Sequence, residues 1–209
     1  MDLMRLPESL IVIGGNTVGL EQAQLFARLG TRVTVIEALG RLAPGEEPEI
    51  SAAIEAVFAD EHIAVLTAAT VEKVLAGGGH KLVSVRTRAG VSELRAEHVL
   101  VATGRRPNTA GLGLEAVGVG VDGRGAVIVD DRQRTDNARI WAAGDVAGGP
   151  QFVYVAAAQG TLVADNAFAD ADRVLDYATV PRLTFTSPAI AAVGPVSYTH
   201  LRAHETGRN

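Results

Sequence analysis

Residues 9–37 read SLIVIGGNTVGLEQAQLFARLGTRVTVIE, and this stretch decides the fold of the chain. An apolar run over 9–13 meets two glycines, a helical stretch continues to Leu29, and Gly30 ends it. A second apolar run, 31–36, is typical of another strand. The order strand, glycine turn, helix, strand is the supersecondary unit from which α/β domains are built. We therefore predict an α/β fold.

The predicted helix carries its apolar residues at spacings of three and four, which predicts one broad buried face. The apolar set is Val18, Ala23, Leu25, Phe26 and Leu29, and the polar set is Glu21, Gln22, Gln24 and Arg28. A second helix is expected from about Glu47 to Asp60, because Pro48 suits a first helical turn and acidic residues stand at the positive end of the dipole. A strand at 63–66 should follow.

The next part of the chain changes character, because short apolar or alternating runs are separated by glycine turns. We predict a small antiparallel meander, inserted in the α/β domain, from the runs 70–75, 81–87, 91–94 and 98–101. Beyond a glycine-rich segment we predict two strands and then a helix, at 126–129, 140–142 and about 152–169.

The turn Gly14-Gly15-Asn16-Thr17-Val18-Gly19 stands between a strand and a helix, where the pyrophosphate of a dinucleotide can rest on free helix N-terminal amides. It matches the G-x-G-x-x-G pattern except at the middle glycine, which is Asn16. Glu37 closes the second strand 18 residues after Gly19, and a carboxylate there can accept hydrogen bonds from the adenosine ribose. We predict a Rossmann-like NAD(P)-binding domain, with a simple tight turn as the alternative.

The same glutamate bears on the choice between the two nicotinamide cofactors. A carboxylate at Glu37 repels the 2′-phosphate of NADPH by about 4 kcal/mol for one contact at ~4 Å and an effective dielectric of about 20, before ions and rearrangement reduce it. Arg41 is the only nearby cation in the sequence able to offset this repulsion. We therefore expect a preference for NADH, with NADPH tolerated.

The composition argues against several classes of partner. Of 209 residues 24 are acidic and 19 basic, and the net charge of -5 leaves no basic stripe for a phosphate backbone, so nucleic acid is not an expected partner. No apolar run approaches the ~18 residues of a membrane span, so we expect no membrane association and a cytoplasmic location. With 0 cysteines the chain has no thiolate nucleophile, disulfide or cysteine-ligated metal.

Two further motifs, Ala102-Thr-Gly-Arg-Arg-Pro-Asn108 and Trp141-Ala-Ala-Gly-Asp145, are distinctive. They resemble the segments by which flavoprotein pyridine nucleotide-disulfide oxidoreductases leave the NAD(P) domain and complete the FAD domain. The resemblance implies that Asp145 binds the ribitol of FAD and that the helix after it points its N-terminus at the flavin, where a helix dipole stabilises negative charge. A turn-capping carboxylate is the alternative for Asp145.

Within this family the sequence is most similar to the mercuric reductases, over about residues 5–194. The segments that carry this similarity are 19–24, 150–158, 185–188 and 191–194. It implies a homodimeric flavoenzyme in which hydride passes from nicotinamide to flavin, electrons move to a cysteine pair absent from this chain, and Hg(II) is reduced. The alternatives are a dihydrolipoyl dehydrogenase-like disulfide reductase and, for the isolated chain, an inactive nucleotide-binding module.

The resemblance also implies roles for individual residues, none of them catalytic because the redox cysteines are absent, and it implies no metal ligand. Glu21 resembles a supporting carboxylate that pairs with a flavin-side lysine outside this chain, the alternative being a polar helix position. Thr17 departs from the family, where an aromatic residue often covers the nicotinamide pocket. The residues expected at NAD(P) are Gly14, Gly15, Asn16, Thr17, Val18, Gly19 and Glu37, with Val71 and Gly104, which are equally good core or turn residues. Those expected at FAD are Asp145, Gln151, Phe152, Val153 and Tyr154.

By the same resemblance the chain divides into four parts. They are an NAD(P)-binding domain at 1–103 with its core at 9–103, the second segment of an FAD domain at 104–178, the start of a truncated interface domain at 179–194, and a non-native tail at 195–209. In this tail His200 and His204 lie four residues apart, a spacing that could place both on one helix face, so a metal site there is a minor alternative. FAD is not expected to stay bound, because half of its cradle is missing.

Overall fold

The computed structural model describes residues 5–169 and 171–194. They belong to two compact units, one comprising 5–104 together with 181–194 and the other 105–180. The chain therefore leaves the first unit, builds the second, and returns to the first.

The predicted tail, 195–209, lies outside the described residues. The predicted domain boundaries, and the cofactor assigned to each domain, stay predictions. In the part of the chain that the structure describes, no helix is both long enough and apolar enough to cross a membrane.

The first unit combines a parallel and an antiparallel sheet. Its elements up to residue 104 are β1 (Ser9–Ile13), α1 (Thr17–Arg28), β2 (Arg32–Ile36), α2 (Pro48–Asp60), β3 (Ala64–Leu66), β4 (Thr70–Gly77), β5 (His80–Thr87), β6 (Gly90–Ala96) and β7 (His98–Val101). The parallel sheet has the order β3-β2-β1-β7, with Val12 of β1 opposite Val35 of β2 and Leu100 of β7. Strands β4, β5 and β6 form the antiparallel sheet in that order.

Both faces of the parallel sheet are covered, which explains its nearly continuous apolar strands. On one face Val12 and Val35, both fully buried, pack with residues of the two helices, including Phe58 of α2. On the other face Ile11 and Ile36 pack against the inward residues of β5. The first unit therefore has three layers, and the predicted α/β fold with its added antiparallel strands is confirmed.

The run 98–101, predicted as part of the meander, instead pairs with β1 in the parallel sheet. Its side chains explain the difference, because Val99 packs on the meander side and Leu100 on the helix side. A strand covered on both faces needs consecutive apolar residues, whereas a meander strand with one wet face alternates. The antiparallel sheet accordingly consists of β4, β5 and β6 alone.

Helix α1 buries a face that matches the prediction only in part: Ala23 and Phe26 are buried as predicted, and the other apolar residues of the predicted face are exposed. Val18 and Leu25 are each 49% exposed, whereas Gln24, expected on the polar face, is 3% exposed. The burial of Gln24 has a long-range cause, because residues 181–194 return to this unit and Ser187 lies against Gln24. The buried residues of the helix are Gly19, Leu20, Ala23, Gln24 and Phe26.

The returning segment forms a hairpin of two short strands, β8 (Arg182–Thr184) and β9 (Ile190–Ala192). Ile190 is 9% exposed and joins the apolar cluster on the helix face of the parallel sheet. The segment therefore contributes to the core of the first unit, and its assignment to an interface domain stays a prediction.

The second unit contains one long helix, α3 (Val153–Phe168), close to the predicted bounds. The strands predicted at 126–129 and 140–142 are reduced to isolated bridges. Their amides donate to carbonyls of several loops, as Val127 does to Val146 at 2.9 Å, so no ladder extends. The bridges are Val121 with Val127 and Arg134 with Trp141.

Candidate nucleotide-binding sites

The glycine turn brings the end of β1 and the start of α1 so close together that side chains are excluded. Gly14 has a φ of 111°, and a Cβ there would lie 2.5 Å from the carbonyl oxygen of Ala102, just after β7. A Cβ at Gly19 would lie 1.9 Å from the carbonyl oxygen of Gly14. Both positions therefore require glycine, and the first helical turn packs directly against the end of the central strand.

Glu37 and the second glycine of the turn, Gly15, are hydrogen-bonded to each other. The Glu37 side chain is buried, and its Oε2 accepts a hydrogen bond from the Gly15 amide at 2.6 Å. Its Oε1 accepts from the Leu39 amide at 2.8 Å. Each carboxylate oxygen has two lone pairs, so ribose hydroxyls can still donate to it. The structure thus brings together the two features that the sequence singled out.

The loop after β2 closes over the glycine turn from the other side. The Ala43 amide donates to the carbonyl oxygen of Gly15 at 2.8 Å. Arg41 in this loop donates to the Ser51 hydroxyl at 3.2 Å and to the Pro44 carbonyl at 2.9 Å. Arg41, the cation that could offset the charge of a 2′-phosphate, is therefore already hydrogen-bonded to α2 and to the loop that precedes it.

Asn16 has a role that the sequence pattern did not suggest. Its backbone is extended, with a φ of -112°, and its Oδ1 accepts from the Thr17 amide at 3.0 Å, so it is the N-cap of α1. Asn is among the preferred N-cap residues, a signal present in the sequence. The next amides, of Val18 and Gly19, belong to the first turn, where no intrahelical carbonyl is available, and can donate to an anion.

Thr17 and Glu21 both contact the returning segment. The Thr184 hydroxyl donates to the Thr17 hydroxyl at 3.1 Å. The Phe185 amide donates to Glu21 Oε1 at 2.9 Å. The sequence predicted neither contact, because the two segments are more than 160 residues apart in the chain.

Val71 and Gly104 remain the weaker NAD(P) predictions. Val71, on β4, packs against the apolar cluster that contains Ile36 and Val85, as a core residue does. Gly104 is exposed with a φ of 106°, and a Cβ there would meet nothing within 4 Å. Each is thus explained by its local structure without a ligand.

In the second unit, Asp145 begins a short 3-10 helix, Asp145–Ala147, after Gly144 at a φ of 83°. Its Oδ2 accepts from Arg105 at 3.1 Å, and the two side chains are 41% and 61% exposed. The sequence did not single out Arg105. The aspartate predicted to bind ribitol is therefore open to solvent and held by an exposed ion pair.

A buried amide network supports the residue before Asp145. Gln159 of α3 is 1% exposed, and its Oε1 accepts from the Gly144 amide at 2.6 Å. Its Nε2 donates to the Tyr177 hydroxyl at 2.7 Å, and Gln133, also 1% exposed, donates to the same hydroxyl at 3.2 Å. The sequence signal for this network is one glutamine in an alanine-rich helix, which local periodicity does not explain.

A cavity of about 640 Å³ lies within the second unit. Amides of Ala126 and Arg124 donate to Asp122 at its edge and hold the pKa of that carboxyl below its usual range. Of its three arginines Arg105 is paired with Asp145, and the other two, Arg106 and Arg124, outnumber the acid, so the cavity suits an anionic group such as a phosphate. Its lining includes Arg105, Arg106, Arg124, Asp122, Gly149 and Gln151.

The sequence model of one protein family, described as pyridine nucleotide-disulphide oxidoreductase, matches residues 2–160. The chain belongs to this family. Its membership confirms the predicted resemblance and places the chain among flavoprotein oxidoreductases.

Individual relatives sharpen the comparison. A mercuric reductase of Streptomyces lividans is 58% identical over 194 residues, which are 93% of this chain and 41% of that protein. A dihydrolipoyl dehydrogenase of Mycobacterium leprae (strain TN) is 39% identical over 191 residues, 90% of this chain and 41% of that protein. The chain thus spans less than half the length of these relatives.

Solved structures of the family have the same fold. LpdA from Mycobacterium tuberculosis has a TM-score of 0.89 at 32% identity, over 97% of this chain and 43% of that one. The HOCl-induced flavoprotein disulfide reductase RclA from Escherichia coli has a TM-score of 0.87 at 33% identity, over 96% and 46%.

The start of α3 carries the remaining residues that the family resemblance assigns to FAD. The rings of Phe152 and Tyr154 stack with centroids 5.2 Å apart, and Val153 between them is 88% exposed. Gln151 lines the cavity. The roles of these residues at FAD stay predictions.

No metal site is formed by the residues described in 5–169 and 171–194, where no three His, Asp or Glu side chains are grouped to hold an ion. The alternative metal ligands, His200 and His204, lie outside those residues.

Proposed function

We propose that this chain supplies two binding sites of a flavin-dependent NAD(P)H oxidoreductase of the mercuric reductase kind. The nicotinamide seat is the NAD(P)H-binding site formed by residues 14–19 and Glu37, and the flavin seat is the part of the FAD-binding site formed by Asp145 and residues 151–154. The observation that carries the proposal is the glycine turn with Glu37 buried beneath it, its carboxylate bonded to the Gly15 amide at 2.6 Å. A dinucleotide-binding turn needs both close backbone approach and a carboxylate for the ribose, and both are present in one unit.

The residues of the first unit have distinct tasks in this proposal. The first-turn amides of Val18 and Gly19 receive the pyrophosphate, which the positive end of the helix dipole also attracts. Glu37 accepts from the ribose hydroxyls with the lone pairs that its two backbone bonds leave open. Gly15 keeps Glu37 in place, because a Cβ there would lie 2.6 Å from Leu42 Cδ2 and 3.1 Å from Glu37 Oε2 and would displace one of these side chains.

The second unit is proposed to hold part of FAD. Asp145, half-exposed, has acceptors available for ribitol hydroxyls, and the arginine-lined cavity suits a phosphate. Phe152, Val153 and the start of α3 offer an apolar surface for a flavin ring. When bound, FAD supplies the acceptor for the hydride, while the residues named here bind and orient it.

The reaction of the whole protein is proposed to be reduction of Hg(II) through a cysteine pair outside this chain. The support is the 58% identity to a mercuric reductase, against 39% to a dihydrolipoyl dehydrogenase. Glu21 is proposed as a supporting carboxylate. A cytoplasmic homodimer without nucleic-acid or membrane partners completes the proposal for the full-length protein.

Two other functions compete with this one. A dihydrolipoyl dehydrogenase-like disulfide reductase would use the same glycine turn, Glu37 and Asp145. A nucleotide-binding module without an electron acceptor describes how the isolated chain is expected to behave, because the chain covers 41% of its mercuric reductase relative.

Calorimetric titration of NADH into the chain tests the nicotinamide seat. We expect the wild type to bind and Gly15→Ala to bind at least roughly tenfold more weakly, since the added methyl meets Leu42 and Glu37. Gly45→Ala is the matched control, because a Cβ there meets nothing within 4 Å in the neighbouring loop. No binding by the wild type, or equal binding by Gly15→Ala, would contradict the proposal.

Absorbance of the purified chain tests the flavin seat separately. We expect a colourless protein, because a seat that buries only part of a ligand binds it weakly. Near-stoichiometric bound flavin in the wild type would contradict the proposal that the seat is partial.

A further inference from the structure

The outer face of α1 recognises the backbone of the returning segment. Glu21 Oε1 accepts from the Phe185 amide at 2.9 Å. Gln24 makes a two-way contact with Ser187, its Oε1 accepting from the amide at 2.7 Å and its Nε2 donating to the carbonyl at 2.9 Å. Residues three apart lie side by side on a helix, so Glu21 and Gln24 together replace the partner strand that an extended segment ordinarily has.

The two ends of this contact differ in what holds them. Ser187 is secured by Gln24, which is 3% exposed and also donates to Glu61, and by Arg28, which donates to the same carbonyl at 3.3 Å. Phe185 has a side chain that is 75% exposed, so apolar burial does little to fix it. Its amide donates to Glu21 directly after Thr184, the last residue of β8, which pairs with Ile190 of β9. The hydrogen bond to Glu21 therefore holds the chain where it leaves the hairpin strand.

The residue before Phe185 lies at the candidate nicotinamide seat. Thr184 is 7% exposed, and its hydroxyl donates to that of Thr17, the first residue of α1. The Thr17 hydroxyl oxygen thus accepts this hydrogen bond, and the Thr17 hydroxyl can use its own proton to donate to a ligand. A hydroxyl held at a helix N-terminus beside first-turn amides is suited to a phosphate or carboxamide oxygen.

We propose that Glu21 is a positioning residue, which fixes the Phe185 backbone so that Thr184 holds the Thr17 hydroxyl ready for the nicotinamide dinucleotide. The part of this inference that concerns NADH binding rests on the proposed function, whereas the contact between Glu21 and the Phe185 amide is independent of it. It differs from the role suggested by resemblance, in which the charge of Glu21 matters for a lysine. Positioning requires an acceptor oxygen and no charge.

Hydrogen exchange at individual amides of the free chain separates the two roles. In Glu21→Met the Phe185 amide loses its acceptor, and we expect its exchange to accelerate roughly two- to tenfold, the effect of one net hydrogen bond. In Glu21→Gln the amide oxygen still accepts, so exchange should stay near the wild-type rate. Gln22→Met, the same change at the next position of α1, is the control and should leave Phe185 unaffected.

NADH titration of the same variants tests the link to the seat. We expect Glu21→Met and the near-isosteric Thr184→Val each to weaken binding about two- to tenfold, with Glu21→Gln close to wild type. Because Glu21 acts through Thr184, the double variant Glu21→Met/Thr184→Val should be no weaker than the worse single variant.

Three results would overturn the inference. Faster Phe185 exchange in Glu21→Gln to the level of Glu21→Met would mean that charge is what matters. Unchanged exchange in Glu21→Met would mean that the contact does not hold the segment. Faster exchange with unchanged NADH affinity would mean that the segment does not serve the seat. A wild type that binds no NADH overturns the proposed function and the ligand part of this inference, while the exchange data still decide the positioning contact.

Discussion

The glycine turn of the first unit and the Asp145 region of the second unit are built in opposite ways. Glu37 is 8% exposed, and both of its oxygens accept from backbone amides. Asp145 is 41% exposed at its side chain, and its partner Arg105 is 61% exposed. The carboxylate of the first region is fixed by the backbone, and that of the second by a side chain that water can replace.

The two regions therefore differ in how far their hydrogen bonds fix the carboxylate before a ligand binds. The site proposed for the nicotinamide dinucleotide lies within the first unit, where close glycine packing and buried hydrogen bonds determine the shape of the turn. The region proposed for FAD has a buried support, in which Gln159 accepts from the Gly144 amide, but its carboxylate, Asp145, is 41% exposed. A preformed site loses little entropy on binding, whereas an open one depends on further contacts.

The largest expected effect comes from filling the glycine turn. Gly19→Ala places a Cβ 1.9 Å from the Gly14 carbonyl oxygen, so backbone must move, and we expect a loss of roughly 3 kcal/mol or more in the free energy of unfolding. Gly160→Ala in α3 is the matched control, because its Cβ meets nothing within 4 Å and alanine favours a helix by up to about 1 kcal/mol. Calorimetric melting measures both variants. Equal melting temperatures would mean that the turn is not closely packed.

The second effect concerns nucleotide choice at the buried carboxylate. Glu37→Ala leaves the Gly15 and Leu39 amides without acceptors, which should cost about 1–3 kcal/mol of stability. The wild type should bind NADH more tightly than NADPH, because Glu37 repels a 2′-phosphate and Arg41 is engaged with Ser51 and Pro44. The variant should lose that preference.

Calorimetric titration of both nucleotides into both proteins measures the change. If the wild type already binds NADPH tenfold more tightly than NADH, Glu37 does not face the ribose. The burial of Glu37 would then be a structural feature of the turn and would not determine nucleotide choice.

The fold was largely predictable because its signals are local. Strand runs, the glycine turn and the helix beginning at Pro48 follow from neighbouring residues, and the observed α2 spans Pro48–Asp60. Two predictions were wrong for a shared reason. Strand β7 joins the parallel sheet, and Gln24 is buried, through partners about 90 and 160 residues away that no local pattern reveals.

The candidate site divides in the same way. Gly15 and Glu37 were paired in the sequence because a βαβ unit fixes their relation over 22 residues. Arg105 and Gln159 were missed, since each reaches the Asp145 region from a different part of the chain. The pairing of Gly15 with Glu37 was therefore predictable from short-range signals, whereas the contacts of Thr17 and Glu21 with the returning segment and the support of Asp145 depend on tertiary packing.

The third prediction concerns pH and the edge of the cavity in the second unit. Hydrogen bonds from the Ala126 and Arg124 amides hold the pKa of Asp122 below its usual range. Its stabilising contribution is therefore present above the usual carboxyl pKa and is lost as pH falls through the lowered value in the folded state. Asp122→Asn should melt below the wild type at neutral pH, and the two curves should converge in acid. A difference that does not change with pH would contradict this origin.

The smallest effect is expected where the contrast between the two regions is sharpest, at the exposed ion pair of Asp145. Arg105→Met should change the free energy of unfolding by about 0–1 kcal/mol, because a pair exposed at 61% and 41% gains little Coulomb energy and is screened by salt. Arg86→Met is the matched control, since Arg86 pairs with Glu72 at similar exposure, 60% and 34%, in the first unit. Melting at low and high salt measures both variants. If Arg105→Met lowered the melting temperature by more than about 4 °C while Arg86→Met did not, the Asp145 region would be a fixed structure like the glycine turn, and the flavin seat would be preformed.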